Sequence, residues 1–264
     1  MSQRKVFFFD FDNTLYSHKT HRVPQSAKAA LGNLRADGHI VVLASGRGLE
    51  SRTMIDTETG FIFDAYIMLN GQIVTEGDEL VFERYIEIEA SQSLFSLADS
   101  LGIAYGGFCS RGQAVNCIND NVRSVWTDYK ALVPQVISDF RYLEKIYLLQ
   151  LYIAQDQEEI FSRFTKDYVT NRPHVCMMNL IPSNAGKSLG ISFLLKRYGF
   201  KRSDSFAFGD AFNDIDMLQA VGFSIAMEDG DPKLAEIATL ISPPADQDGI
   251  STTLSKLGLI HLVK

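Results

Sequence analysis

Little in this sequence points toward a membrane, a disulfide-stapled exterior or nucleic acid. Its three cysteines, Cys109, Cys117 and Cys176, form no close pair and leave one over. That usage argues against a disulfide framework and a cysteine zinc cluster, and fits a reducing compartment. No stretch approaches the roughly 18 uncharged apolar residues of a membrane span; the apolar run Val6–Phe9 is broken by Asp10. Basic charge is in short supply, and a net charge of −7 argues against nucleic acid as the main ligand. The single tryptophan, Trp126, sits at helical spacing and reads as core, not as a base-stacking platform. Gly186-Lys187-Ser188 lacks the phosphate cradle of a nucleotide-binding P-loop, because Ile181 stands where the first glycine is required. What remains, 264 residues that are 46% hydrophobic, suffices for one large domain or two modest ones. The expectation is a cytoplasmic enzyme or binding protein with a small-molecule ligand, no nucleic acid and no membrane partner; oligomeric state is left open.

The stretch with most to say is Val6-Phe7-Phe8-Phe9-Asp10-Phe11-Asp12-Asn13-Thr14. Four consecutive apolar residues without alternation predict a strand buried on both faces, as in a parallel sheet covered by helices. Two carboxylates where that strand ends are unfavourable together, through desolvation and repulsion, unless a cation compensates them. Ala27, Ala30, Leu31 and Leu34 then mark a one-sided helix between Pro24 and Gly38. A second strand, His39–Ala44, ends in Ser45-Gly46-Arg47-Gly48, and a third, Ala65–Leu69, stops at Asn70-Gly71.

After that turn the pattern mixes hairpins with helices. A hairpin is expected over 72–75 and 79–85, a helix around Leu94–Leu101, and strands at 103–109 and 113–118. A helix carrying Val122, Val125, Trp126 and Tyr129 follows, with a long strand at 145–154. Asp156 and Glu159 suggest a capping box for a helix burying Ile160, Phe161, Phe164 and Tyr168. Parallel layering resumes at Ile181–Ser188 with a helix over Ile191–Tyr198, a strand at 205–208 ending in Gly209-Asp210-Ala211-Phe212-Asn213-Asp214, and further strands at 224–227 and 238–242. The expected fold is α/β: a doubly wound, Rossmann-like parallel sheet formed by 1–71 plus 183–264, with an inserted α+β cap at 72–182.

Polar loops thus end three strands: Asp10/Asp12/Thr14, Ser45/Gly46 and Asp210/Asn213/Asp214. Ligands of open α/β sheets bind outside the carboxyl ends of the strands, where these loops can converge. Four carboxylates gathered there call for a hard divalent cation with oxygen ligands, and Mg²⁺ suits a site that also holds waters and a phosphate. Each motif alone has a bland reading as turn, helix cap or surface charge; as a set at successive strand ends they favour chemistry.

The set Asp10-x-Asp12-x-Thr14, Ser45-Gly46-Arg47, Lys187 and Gly209-Asp210-x-x-Asn213-Asp214 resembles the haloacid dehalogenase (HAD) superfamily of phosphotransferases, and the large insert resembles the cap of its Cof-like sugar phosphatase branch. Asn13 stands where many members have Gly, Ser188 follows the lysine where Gly is frequent, and Glu228-Asp229 replaces an Asn-rich turn. The resemblance implies a two-step displacement in which Asp10 is the nucleophile and Asp12 the general acid and base. It further implies phosphate binding by Thr14, Ser45, Gly46, Lys187 and Asn213, and a Mg²⁺ site formed by Asp10, Asp12, Asp210 and Asp214. Asp210 would ligate directly, and Asp214 and Asn213 would orient water or neighbouring groups. Substrates would be small phosphorylated metabolites, sugar phosphates first. A phosphomutase or other transferase, and a non-catalytic sugar-phosphate sensor, remain as alternatives. The roles of His18, His21 and Arg47 stay open, as does any part for Arg111, Asn116 and Arg123 facing the cleft; the cap hinges are expected near Asn70-Gly71 and Ser183-Asn184.

Overall fold

The computed structural model describes residues 4–86, 88–109, 112–143, 145–164, 166, 168–183 and 185–260. The chain forms two compact units, Met1–Glu83 with Gly186–Lys264, and Arg84–Ala185. Along the chain the elements are β1 (Val6–Phe9), α1 (Gln25–Ala36), β2 (Ile40–Ala44), α2 (Arg52–Thr59), β3 (Ala65–Met68), β4 (Ile73–Glu76) and β5 (Glu79–Glu83) in the first unit. The second unit contributes α3 (Ile88–Ser100), β6 (Tyr105–Cys109), β7 (Gly112–Val115), α4 (Asp120–Asp128), β8 (Gln135–Val136), β9 (Ile146–Leu151), β10 (Tyr168–His174) and β11 (Met177–Pro182). The first unit then resumes with α5 (Lys187–Tyr198), β12 (Ser205–Gly209), α6 (Ile215–Ala220), β13 (Phe223–Met227), α7 (Pro232–Ile237), β14 (Leu240–Ser242) and α8 (Gly249–Lys256).

In the first unit the strands run β14-β13-β12-β1-β2-β3-β4-β5, parallel from β14 through β3. Chain order leaves β1 in one direction through β2 and β3 and returns on its other side through β12, so strand order reverses between β1 and β12. Val6–Phe9 is fully buried, as an unbroken apolar strand requires. Alternation sends Val6 and Phe8 into a core with Val42, Ile67, Ala207, Ile191, Leu194 and Met217. On the other face Phe7 and Phe9 stack on Phe206 and Phe208, with ring centroids 4.9 and 5.0 Å apart. Each such buried side chain contributes about 1.5–3 kcal/mol relative to exposure. β1 is thereby fixed beside β12, which is what places their following loops together.

Several sequence expectations change, and one helix was not expected. The hairpin β4–β5 extends the first unit's sheet antiparallel to β3, pairing Met68 with Ile73 and Ile67 with Val74, in place of opening the insert. The Asn70-Gly71 dipeptide is therefore a tight hairpin turn, with Leu69, Asn70 and Gly71 all at positive φ, and the unit boundary falls at 83/84 where 71/72 was expected. The returning boundary lies at 185/186; the expected hinge residue Asn184 lies outside the described residues. Gln155–Phe164 winds as 3₁₀ turns, not as a four-residue-face α-helix: Phe161 is buried, Ile160 lies 44% exposed, and Tyr168 opens β10. Finally α2, with only Ile55 and Thr59 buried, lacks the apolar stripe by which a helix announces itself in sequence.

The second unit is a six-stranded sheet, β10-β11-β9-β6-β7-β8, antiparallel except for β7–β8. One face packs Tyr105, Leu149, Leu151 and Met178 with Leu94, Phe95 and Phe140, and the other packs Val115, Tyr152 and Met177 with Val122 and Trp126 of α4.

Candidate active site

Asp10 follows β1 directly and its backbone N–H donates to Phe208 O at 3.0 Å, so it stands level with Asp210 at the end of β12. Asp214 turns back beneath that loop. Its Oδ2 accepts the backbone N–H groups of Asp210 and Ala211, both at 3.0 Å. Lys187, the first residue of α5, is fully buried and donates to Asp10 Oδ1 and Asp214 Oδ1, each at 2.5 Å. Thr14 Oγ1 donates to Asp210 Oδ1 at 3.1 Å. Carboxylate oxygens of Asp10, Asp210 and Asp214 all lie within 4.8 Å of one another.

Lys187 is held in place by a close approach of two backbones. Gly71 has φ of +89°, and a Cβ there would overlap the carbonyl oxygen of Gly186, immediately before Lys187. The first turn of α5 is satisfied from α6, where Asp216 Oδ2 accepts the Ser188 N–H at 2.8 Å. Sequence reasoning missed Asp216; its spacing of two from Asp214 is the signal, since one carboxylate takes the lysine head and the next its helix start.

Electrically the cluster is incomplete. Burial pushes the Asp10 carboxyl well up, with Asp214 and Asp210 adding to the rise and Lys187 opposing it. Asp210 is pushed up to about 6, by burial first and Asp214 next. Burial disfavours the Lys187 charge, yet Asp10 and Asp214 outweigh it and hold the ammonium above its usual range. Three carboxylates face one ammonium, and burial leaves the excess negative charge unscreened. An all-oxygen set short of positive charge fits a hard divalent cation. Asp10 and Asp210 are the residues to hold it, because both oxygens of Asp214 are already engaged by Lys187 and backbone N–H groups.

The carboxylate of Asp12, expected among the metal residues, is not part of that cluster. Arg47 clasps its carboxylate through Nε at 2.7 Å and Nη2 at 2.6 Å, and His18 Nε2 lies 2.8 Å from Oδ1. Burial raises the Asp12 carboxyl, but the Arg47 hydrogen bonds and charge, with His18, outweigh it and hold it below the usual carboxylate range. A bidentate guanidinium stabilises the ionised form, so the general acid that the resemblance implies stands without its proton in this arrangement. Arg47 and His18 gain their roles from this contact. His21 is exposed, at positive φ, in the loop beyond. Asn13, at φ +53°, occupies the left-handed conformation that a glycine would favour.

The remaining phosphate candidates are arranged differently from expectation. Ser45 is buried; its N–H donates to Ile67 O at 2.8 Å and its Oγ accepts the Arg47 N–H at 3.1 Å, so the hydroxyl hydrogen alone remains to donate. The Thr14 hydroxyl is likewise taken by Asp210. Asn213 Nδ2 donates to Asn70 Oδ1 at 2.9 Å, and a Cβ at Gly46 would lie 3.0 Å from that same Asn70 oxygen. Asn70 was read from sequence as a turn and hinge residue; here it links the loops after β2, β3 and β12. Asn116 Oδ1 accepts the Tyr105 N–H within the second unit, where Arg123 lies on α4, and Arg111 lies outside the described residues.

Residues 7–254 match the family of haloacid dehalogenase-like hydrolases. The Bacillus subtilis (strain 168) protein YkrA, named provisionally as a phosphatase, is 29% identical over 262 residues, which cover 97% of this chain and 98% of YkrA. Among solved structures, BT1666 of Bacteroides thetaiotaomicron, described among phosphatases of the HAD enzyme superfamily, has a TM-score of 0.86 at 26% identity, over 97% of this chain and 96% of its own. The HAD subclass IIB sugar phosphatase BT4131 has a TM-score of 0.79 at 24% identity, over 97% and 100%, a likeness of fold. With its acid, lysine and strand-end loops in the order described, this chain belongs to the haloacid dehalogenase-like hydrolases.

Proposed function

We propose that the protein is a Mg²⁺-dependent phosphomonoester hydrolase acting on a small phosphorylated metabolite, with sugar phosphates the leading class, through an aspartyl-phosphate intermediate. The observation that carries this is the buried Lys187 bridging Asp10 and Asp214 beside Asp210, at the point where strand order reverses. Among these acids Asp10 has an oxygen directed to the cluster while its partner Lys187 neutralises it, which suits a nucleophile. Its carboxylate oxygen would attack phosphorus as the ester P–O bond breaks, and water would then displace the aspartyl oxygen to release inorganic phosphate.

Bound Mg²⁺ would supply charge neutralisation for the phosphate and keep the Asp10 carboxyl ionised. Lys187 would share that neutralisation, and the Ser45 hydroxyl would donate to a non-transferring oxygen. Asp12, ionised on Arg47 and His18, is suited to accept a proton from the hydrolytic water. To protonate the leaving oxygen first, it must exchange those partners for that oxygen and a proton.

The test is phosphate release over a metabolite panel with Mg²⁺ and with chelator. Asp10→Asn is expected to lower turnover by about 10⁴-fold or more while the circular dichroism spectrum is unchanged. Comparable release from variant and wild type would remove Asp10 as nucleophile. Supplying an acceptor sugar and analysing products separates hydrolysis from transfer, and binding without release would indicate a sensor.

A further inference from the structure

The helix that carries Lys187 starts without a cap of its own. An N-terminus normally draws Ser, Thr, Asp or Asn to its N-cap, whose side chain accepts one of the first free N–H groups. In α5 that position is Gly186, which offers no side chain, and the first turn holds no acid. Its first charged residue is Lys187 itself, a cation at the positive end of the helix dipole, where positive charge is disfavoured. Taken alone, this is a poor place to fix an ammonium group.

The missing acceptor comes from α6. Asp216, in the first turn of α6, receives the Ser188 N–H through Oδ2 at 2.8 Å, while Asp214, at the N-cap of α6, receives the Lys187 ammonium at 2.5 Å. α6 therefore grips α5 twice, by its backbone and by the tip of its lysine. The bare position at 186 belongs to the same arrangement, because a Cβ there would overlap the Asp216 carboxylate. With φ of 165° and ψ of 155°, Gly186 has extended backbone that any residue can adopt. Space, not conformation, is what calls for glycine.

A lysine stem is long and flexible, so its ammonium is placed only as firmly as its Cα. We propose that Asp216 is a positioning residue: by capping α5 from the helix that directly follows the Asp210–Asp214 loop, it sets the Lys187 backbone relative to the acids that its ammonium serves, and Gly186 makes room for it. The consequence for turnover rests on the phosphatase reading; the placement of the lysine does not.

The full chain tests this with three variants. Asp216→Ala is expected to lower kcat for para-nitrophenyl phosphate with Mg²⁺ by about tenfold, with a smaller change in KM. Asp216→Asn keeps an oxygen for the Ser188 N–H and should recover most of that loss. Asp216→Ala combined with Gly186→Ser moves the acceptor onto α5 itself, since the space left by the carboxylate admits a serine whose hydroxyl caps the helix. In this double variant the urea midpoint should return to that of wild type while kcat stays low. The lysine is also read without turnover: in ¹H–¹⁵N spectra of the chelated protein, the Lys187 ammonium protons should exchange with water about tenfold faster in the double variant than in wild type. Recovery of kcat, or of the Lys187 exchange rate, together with the midpoint overturns the proposal, because capping alone would then suffice. A double variant no more stable than Asp216→Ala overturns it as well, because Gly186 and Asp216 would then not act as a pair. Should Asp216→Ala unfold, the double variant and Asp216→Asn carry the comparison. A wild type that releases no phosphate from the ester sinks the phosphatase reading and leaves ammonium exchange to decide the placement of Lys187.

Discussion

At the centre of the first unit, Asp10, Asp210, Asp214 and Lys187 are buried as ionisable groups, whereas the second unit buries its polar groups as neutral amides, hydroxyl and indole. Gln113 Nε2 and the Tyr152 hydroxyl, itself accepting from Trp126 Nε1, donate to Gln150 Oε1, and Gln150 Nε2 donates to Asn179 Oδ1, a row of amides that carries no charge to balance. The charges do not balance, and raised carboxyl groups at Asp10 and Asp210 record the deficit. A protein that needed only stability would avoid the first arrangement, because desolvating ions is opposed by several kcal/mol each. The imbalance is what the proposed cation and phosphate chemistry would use.

The sharpest way to break this contrast is Lys187→Met. Removing the only ammonium from the cluster should destabilise the chelated protein by about 3–5 kcal/mol and lower turnover at least about 10³-fold. Urea unfolding with chelator and with Mg²⁺ checks it. The variant should regain more stability from Mg²⁺ than wild type does, and a Mg²⁺ response no larger than wild type's would show that the lysine does not balance these acids. Second in size is Gly71→Ala, which adds a Cβ at φ +89° and against Gly186 O. A loss of about 2–3 kcal/mol is expected from strain alone. Because Gly186 precedes Lys187, catalysis should fall by more than the stability change would imply; a stable, fully active variant would break the link between the turn and the lysine.

The neutral side of the comparison is tested by Gln150→Leu. Leaving its amide and hydroxyl partners unsatisfied should lower stability by about 1–3 kcal/mol. The loss should be the same with Mg²⁺ and with chelator, since no charge is involved. A Mg²⁺-dependent loss would contradict the separation of the two networks.

Which parts were legible in the sequence follows the same physical division. β1 and its acids were readable because four apolar residues in a row and carboxylates at a strand end are both local patterns. The convergence of Asp10, Asp210 and Lys187 was readable because parallel α/β topology leaves few arrangements. The partner of Asp12 was not: Arg47 lies 35 residues away, and whether a guanidinium reaches a metal loop, a phosphate or a carboxylate depends on side-chain reach. The Thr14 and Ser45 donors were assigned to phosphate by motif, while the Thr14 hydroxyl donates to Asp210 and the Ser45 N–H to Ile67 O, which leaves only the Ser45 hydroxyl hydrogen for an oxygen of phosphate. The affiliation of β4–β5 was hidden because a hairpin reads alike whichever sheet it joins. Gln155–Phe164 failed because acid spacing suggested a cap without an apolar face long enough to support an α-helix.

The finest probe is pH, since the amide row has no proton to exchange and the first unit does. His39, 5% exposed, packs on the Phe7 ring at 5.4 Å, and its Nδ1 accepts the Lys5 N–H at 3.3 Å, a bond only the unprotonated nitrogen can accept. Burial lowers its pKa from the ordinary 6.5, with Lys5 and Arg4 adding to the fall and Asp37 opposing it. A histidine lowered in the folded state favours its neutral form there. Its contribution to stability is therefore complete above about pH 6.5 and is lost as pH falls from that value toward the lower folded one. In His39→Asn, the amide oxygen can keep an acceptor near the place of Nδ1 but cannot titrate. Urea midpoints measured between pH 8 and pH 5 should therefore converge relative to wild type, by a smaller amount than any loss above. An identical pH dependence in the two proteins would mean that the acid sensitivity of the first unit lies wholly with its carboxylates.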